Sequence, residues 1–162
     1  MTVLEAREAL MELTPLTSDC GSLCAGLCCR PMEGEETGML LFPGEETLYD
    51  GKEGYRVLDT ETGKLLICSG MCDRQDRPLS CRLFPLLPAV RNGVIRVEMD
   101  ERARTVCPLV RYGKAGLAAA FVETVEAIGE GLAQEPQQAA FLARLTEEQD
   151  QLRTLRRTLA GR

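Results

Sequence analysis

The sequence predicts a small α+β protein in which antiparallel strands occupy the middle of the chain and helices flank them. Two observations support this fold class. Apolar residues recur at helical spacing near both ends of the 162-residue chain, whereas between residues 39 and 99 they form short runs or alternate with polar residues. The dipeptide Asn92-Gly93 stands between two alternating segments, and Asn-Gly predicts a tight β-hairpin because both of its residues adopt positive φ.

The elements of the N-terminal half follow from the period of the apolar residues. Residues 3–13 have helical spacing, and Thr14-Pro15 ends that helix. Residues 31–37 are rich in proline, glycine and acid and predict a loop. Residues 39–42 predict a short strand, and residues 55–68 predict two strands joined by a turn that a glycine closes.

The C-terminal part of the chain predicts a helical hairpin packed on the strands. The first helix spans residues 115–133, and its apolar face is formed by Leu117, Phe121, Val125 and Ile128. The second begins near Pro136, and its apolar stripe is formed by Phe141, Leu145, Leu152, Leu155 and Leu159. We expect a cysteine-rich domain at residues 1–112 and the helical hairpin at residues 113–162, packed together as one unit. The alternative is that the stripe of the last helix binds a second copy or a protein partner.

Charge and hydropathy exclude several classes of function. The net charge of −6 and the pI near 4.9 argue against a nucleic-acid partner, whose phosphates bind basic surfaces. The N-terminal segment carries glutamates within its apolar pattern and lacks the basic start of a signal peptide. No segment approaches the roughly 20 apolar residues of a membrane helix. We therefore expect a soluble, cytoplasmic protein without a membrane partner.

Eight cysteines and the absence of histidine are the most informative features of the composition. Reducing cytoplasm disfavours structural disulfides, so clustered thiols there indicate metal binding or redox chemistry, although an even number of cysteines also suits disulfides. Without histidine, neither a mixed Cys/His zinc site nor a Cys–His nucleophile is possible. A site made of thiolates favours zinc or an iron–sulfur cluster. The candidate metal ligands are Cys20, Cys24, Cys28, Cys29, Cys68, Cys72, Cys81 and Cys107.

The spacing of the first four cysteines restricts how they can share a metal. On one continuous helix Cys20 and Cys28 would be about 12 Å apart along the axis, whereas a zinc–sulfur bond is about 2.3 Å long. The segment "DCGSLCAGLCCR" therefore either loops around one site or contributes to two. Adjacent side chains diverge, so Cys28 and Cys29 are expected to serve different centres. Eight thiols suffice for two four-thiolate sites, or for one such site and a second role for the rest.

The later cysteines lie in a segment rich in arginine and proline. Cys68 and Cys72 repeat the four-residue step, and Cys81 is flanked by prolines that stiffen its loop. Three arginines lie in the same segment: Arg74, Arg77 and Arg82. They either compensate the charge of metal-bound thiolates or form surface salt bridges with acidic residues. By its own sequence context, Cys107 also fits a small buried hydrophobic residue.

These motifs together resemble the bacterial cysteine-cluster proteins of the CxxCxxCC (YkgJ) type, which are described as zinc- or iron-chelating domains, and a related domain in flagellin lysine N-methylase. The matching residues are Cys20, Cys24, Cys28, Cys29, Cys72, Arg77-Pro78, Cys81-Arg82, Phe84-Pro85 and, after basic residues, Cys107. The spacers between the first three cysteines have three residues here, where the family name implies two. The resemblance covers residues 20–108 and implies that Cys107 is also a ligand.

Three functions are compatible with these residues. The first is a non-catalytic metal-binding protein whose α+β domain is organised around zinc or an iron–sulfur cluster. The second is an iron–sulfur redox protein or methylase-accessory protein, although no glycine-rich loop for a nucleotide-like cofactor is present. The third, a thiol–disulfide oxidoreductase, is disfavoured because it requires a C-x-x-C pair. The sequence indicates no catalytic residue, and whether the protein is an enzyme stays open.

Overall fold

The computed structural model describes residues 1–30, 38–70 and 72–161, and within these residues it confirms the α+β fold class. The loop predicted at residues 31–37 lies outside the described residues. The helices are α1 (Val3–Ala9), α2 (Gly21–Cys24), α3 (Leu79–Leu83), α4 (Ala119–Leu132) and α5 (Pro136–Ala160). The strands are β1 (Gly38–Leu40), β2 (Tyr55–Asp59), β3 (Lys64–Cys68), β4 (Leu86–Arg91) and β5 (Val94–Met99). Short 3₁₀ turns span Leu27–Cys29, Glu46–Tyr49, Arg74–Asp76, Glu101–Thr105, Pro108–Tyr112 and Lys114–Gly116.

The N-terminal helix α1 is fixed at its start by a capping box. The side chain of Thr2 accepts a hydrogen bond from the backbone N–H of Glu5, and the Glu5 carboxylate accepts one from the N–H of Thr2. The helix ends at Ala9, earlier than the predicted residue 13, and its buried face contributes to the main core. The first predicted helix therefore exists, in a shorter form.

A three-stranded antiparallel sheet has the strand order β1-β3-β2. The strands β2 and β3 form the hairpin predicted at residues 55–68, in a register that pairs Tyr55 with Cys68. Across the turn, the N–H of Thr60 donates to the carbonyl of Gly63 at 2.9 Å. The apolar segment at residues 39–42 adds the short edge strand β1. The central strand β3 ends at Cys68, so this sheet fixes the backbone position of one candidate ligand.

The strands β4 and β5 form the second hairpin, as the Asn-Gly dipeptide predicts. Asn92 has φ 54° and Gly93 has φ 79°, the positive values that a two-residue hairpin turn requires. Helix α4 packs closely on this hairpin, since a Cβ built on Gly129 would approach the side chain of Pro88 to 2.6 Å. Glycine at this position therefore allows α4 to lie close to the hairpin, and a larger residue would force the two apart.

The last helix packs on the core only through its first half. Phe141 and Leu145 are buried, and the Phe141 ring meets Phe42 edge-to-face at 5.0 Å between centroids. The remaining members of the predicted stripe are exposed by 38%, 56% and 60%: Leu152, Leu155 and Leu159. The expectation that the whole stripe packs on the β-core is therefore wrong. Beyond Leu145, α5 contacts β5 and the turn after it through Arg153 and Arg156, which pair with Glu98 and Glu101.

One continuous core joins the two parts of the chain that the sequence separates at residue 112. Buried side chains of α1, β1, α3, β4, β5, α4 and α5 belong to the same cluster, from Val3 to Leu145. Cys20 and Cys107 pack against it. Among the described helices, none is both long and apolar enough to span a membrane.

Candidate metal centre

All eight candidate ligands line the same pocket. The pocket has a volume of about 110 Å³, and a single water molecule needs roughly 10–15 Å³, so it has room for a small inorganic group. The cysteines reach it from separate parts of the chain: the segment at residues 20–29, the end of β3 and the residues after it, α3, and the turn that begins at Pro108. The structure thus brings together every residue that the sequence singled out as a ligand.

The segment that carries the first four cysteines folds back on itself. Helix α2 is one turn long, and after it Ala25 and Gly26 have left-handed φ values of 50° and 69°. A left-handed residue ends a helix, and glycine adopts this conformation without the cost that a Cβ adds. The 3₁₀ turn Leu27–Cys29 then starts in a new direction. The segment is therefore not one straight helix through Cys20 and Cys28, and whether it serves one site or two stays open.

The expectation that Cys28 and Cys29 point apart is wrong. Their Sγ atoms lie 3.9 Å apart and share a hydrogen bond, because one tight 3₁₀ turn directs both side chains to the pocket. The hydrogen bond raises the pKa of Cys28 and lowers the pKa of Cys29. The guanidinium of Arg77 also lowers the pKa of Cys29. Within this pair, Cys28 therefore favours the protonated thiol and Cys29 favours the thiolate.

One group of thiols interacts around Cys24. Burial raises the pKa of Cys20, and the negative charges of Cys24 and Cys107 raise it further. Burial also raises the pKa of Cys107, with a further contribution from Cys24. Cys28 interacts with Cys20 and Cys24 as well. Cys24 thus interacts electrostatically with Cys20, Cys28 and Cys107.

A second group of thiols surrounds Cys81 in α3. Burial raises the pKa of Cys81, and the charges of Cys29, Cys72 and Cys68 raise it further. Burial likewise raises the pKa of Cys72, with contributions from Cys68 and Cys29, whereas Arg77 acts in the opposite direction. A raised thiol pKa means that each of these sulfurs keeps its proton at neutral pH until a cation displaces it.

All three arginines of this segment line the pocket, and Arg77 interacts with the thiols. Its guanidinium lowers the pKa of Cys72 through its charge and a hydrogen bond, and it interacts with Cys29 as well. Within the described part of the chain, the buried Nε of Arg77 has no hydrogen-bond partner. The charge of Arg77 therefore acts on Cys29 and Cys72, and its compensation of metal-bound thiolates stays a prediction.

The other two arginines bind backbone carbonyl groups. Arg74 donates to the carbonyls of Met11 and, at 3.1 Å, Leu13. Arg82 donates to the carbonyls of Arg77 at 2.9 Å and of Gln75 at 3.0 Å. Arg74 thereby ties the chain after α1 to the segment that carries the second group of thiols, and Arg82 holds that segment together. The two roles that the sequence left open for these arginines stay predictions.

A buried carboxylate that the sequence did not indicate holds α3 in place. Glu45 is 0% exposed and forms an ion pair of 2.7 Å with Arg7 in α1. Its carboxylate also accepts hydrogen bonds from the N–H groups of Leu79, at 2.8 Å, and Phe42, at 3.0 Å. Leu79 begins the helix that contains Cys81, so this carboxylate positions the wall of the pocket. The sequence around Glu45, in which two glutamates follow a glycine, is typical of an exposed turn.

The thiols line the pocket without a covalent link between them. The described residues include all eight cysteines, and none of these forms a disulfide. Among the same residues, no three cysteine, aspartate or glutamate side chains are placed so that they could hold a metal ion as the chain stands. The donor chemistry of the pocket, eight sulfurs and no imidazole, fits zinc and iron–sulfur clusters.

Comparisons with protein-family models, curated proteins and solved structures gave no match to this chain. The resemblance to cysteine-cluster proteins therefore stays a prediction from the motifs.

Proposed function

We propose that this protein binds metal through the cysteine pocket, holding zinc or an iron–sulfur cluster by thiolate ligands. The observation that carries the proposal is the convergence of all eight cysteines, from distant parts of the chain, on one pocket. Packing alone does not favour such an arrangement, because it leaves eight reactive thiols around a cavity that larger apolar side chains would fill. A soft cation gives these sulfurs a common partner.

The donor set restricts which cation the pocket suits. Sulfur ligands favour zinc and iron–sulfur clusters over calcium and magnesium, which take oxygen ligands. Four thiolates around Zn²⁺ leave an excess of negative charge, and Arg77 supplies a positive charge beside Cys29 and Cys72. A protein of this kind belongs in a reducing compartment such as the cytoplasm, where the thiols stay reduced.

The metal would act as a cross-link in the fold. The segment at residues 20–29 has short turns and exposed side chains, and Leu23 and Leu27 are exposed by 59% and 42%. Such a segment buries little apolar surface to hold it in place. When thiols bind metal, they lose their protons and draw together, and the free energy of binding adds to the stability of the fold. The proposal therefore includes closure of the pocket around the metal.

Elemental analysis of anaerobically purified protein tests the proposal. We expect stoichiometric zinc with no visible colour, or iron and sulfide with an absorption band near 400 nm that reduction bleaches. The matched variant replaces Cys24, Cys72 and Cys81 with serine, and we expect it to lose the metal. Wild-type protein that is folded, fully reduced and free of zinc and iron would contradict the proposal. A bleachable iron–sulfur spectrum would favour the redox or methylase-accessory function over a structural zinc site.

A further inference from the structure

A second cleft lies where the first and the last helix of the chain begin. Its walls are the start of α1, the turn at residues 43–45 and the start of α5. None of the eight cysteines, all of which the structure describes, lines it. The cleft has a volume of about 310 Å³, whereas a water molecule needs roughly 10–15 Å³. It therefore has room for a small organic molecule.

One buried polar atom in the wall of this cleft lacks a hydrogen-bond partner. Gln138 is 8% exposed, and its Nε2 donates to the carbonyl of Pro43 at 2.8 Å. Because a carbonyl oxygen can only accept, this bond fixes which end of the Gln138 amide faces Pro43. The other end, the buried Oε1, has no partner within the part of the chain that the structure describes. Buried acceptors are normally paired, so this oxygen is available to a group that donates.

The start of α5 adds hydrogen-bond donors to the same wall. Pro136, the first residue of the helix, has no N–H. The N–H of Ala139 donates to the carbonyl of Glu135 at 2.8 Å. In the first turn, the N–H groups of Gln137 and Gln138 are thus left without an acceptor among the described residues, and no side chain there caps the helix. Both residues line the cleft.

The charges around the cleft favour a neutral ligand. The exposed carboxylate of Glu135 and the buried carboxylate of Glu45, which pairs with Arg7, belong to residues that line it. The described residues that line the cleft include no lysine or arginine. These carboxylates oppose an anion, whereas the positive end of the α5 dipole opposes a cation. A neutral group that both donates and accepts hydrogen bonds meets neither obstacle.

We propose that this cleft binds a small neutral molecule through a carboxamide group. The ligand N–H donates to Oε1 of Gln138, and the ligand carbonyl accepts an N–H from the first turn of α5. The side chains of Val3, Leu4 and Pro43 give the cleft an apolar wall against which the body of the ligand packs. The inference goes beyond the proposed function and does not depend on the metal.

Nuclear magnetic resonance of the isotope-labelled, full-length chain with its native metal tests the inference with two matched probes. Acetophenone has the shape of benzamide but a methyl group in place of the amide nitrogen. We expect benzamide to shift the backbone signals of Gln137 and Gln138 saturably, and acetophenone to bind about fivefold more weakly because it cannot donate to Oε1. Equal affinity for the two probes, or no saturable shift at these residues, overturns the inference and leaves water as the partner of Oε1.

A variant of Gln138 tests the same contact from the side of the protein. Gln138→Met keeps the length of the side chain and removes its oxygen, so we expect the preference for benzamide over acetophenone to disappear. Gln134→Met is the matched control, because Gln134 is exposed and does not line the cleft, and its preference should stay that of the wild type. A folded Gln138→Met variant that keeps the preference contradicts the inference. If this variant unfolds, the two probes still decide on the wild-type chain.

Discussion

Replacement of Glu45 with alanine is expected to destabilise the protein by about 3–4 kcal/mol. The carboxylate is 0% exposed, and its loss leaves the charge of Arg7 buried without its ion-pair partner. Breaking a buried pair in this way costs about 3–5 kcal/mol. Two backbone N–H groups, of Phe42 and Leu79, lose their acceptor as well, at about 1–3 kcal/mol each. These costs overlap, because all follow from one cavity that water and neighbouring groups can partly fill.

The remaining contacts of Arg7 limit the effect. Its guanidinium also donates to the Tyr49 hydroxyl at 3.2 Å and to the carbonyl of Gln75 at 3.0 Å, so it keeps part of its hydrogen bonding. We therefore place the expected loss at the lower end of the range for a broken buried pair. For a domain of this size, about 3–4 kcal/mol lowers the melting temperature by roughly 6–16 °C.

Urea unfolding followed by circular dichroism measures this loss, with wild type and variants at the same metal content. Glu45→Gln keeps one oxygen that can accept an N–H, so we expect a smaller loss of about 2–3 kcal/mol. Glu46→Ala is the matched control, because the exposed Glu46 carboxylate accepts a local bond from the N–H of Gly44, and we expect a change below about 1 kcal/mol. If the free energy of unfolding of the Glu45→Ala variant lay within about 1 kcal/mol of the wild-type value, the buried Arg7–Glu45 ion pair would not stabilise the fold as described.

Three further predictions follow from local features. Gly26→Ala should cost about 1–2 kcal/mol, because φ is 69° there and a Cβ, which no atom of the described residues approaches within 4 Å, gains no contact to offset the strain. Gly21→Ala, the control, has no such backbone strain, and equal melting temperatures for the two variants would argue against the left-handed turn. Arg77→Gln should speed loss of metal to a chelator several-fold, whereas Arg96→Gln, on an exposed strand residue, should not. Glu98→Gln should destabilise the protein by about 1–2 kcal/mol at neutral pH, since arginines lower the pKa of Glu98 from 4.5 to about 2. That difference should shrink as the pH falls from about 4.5 to 2, and a constant difference in acid titrations followed by circular dichroism would exclude this ion pairing.

Local patterns predict the strands and helices well where one face meets a core. The Asn92-Gly93 turn and the hairpin β2–β3 follow from short-range chemistry, because turn residues and alternation act on neighbouring positions. The stripe of α5 shows the limit of that reasoning. Helical periodicity marks a face that can be buried, but Leu152 and Leu159 stay exposed, whereas Arg153 between them pairs with Glu98 of β5.

The candidate site is predictable in its composition but not in its geometry. Eight thiols without histidine indicate the ligand chemistry, and the positive φ of Gly26 agrees with the expected break in the helix. The approach of Cys28 and Cys29 depends on a 3₁₀ turn that the sequence does not specify. Local sequence does not predict the role of Glu45, because its partner Arg7 lies in a distant helix and the charged pair becomes buried only when the elements assemble.

X-ray absorption at the zinc or iron edge of the wild-type protein tests whether the cysteine pocket holds the metal, because it reports which atoms surround the metal. We expect sulfur neighbours, with four sulfurs per metal and a metal–sulfur distance near 2.3 Å. A first shell dominated by oxygen or nitrogen would contradict this expectation, since those ligands would show that the metal binds outside the cysteine pocket.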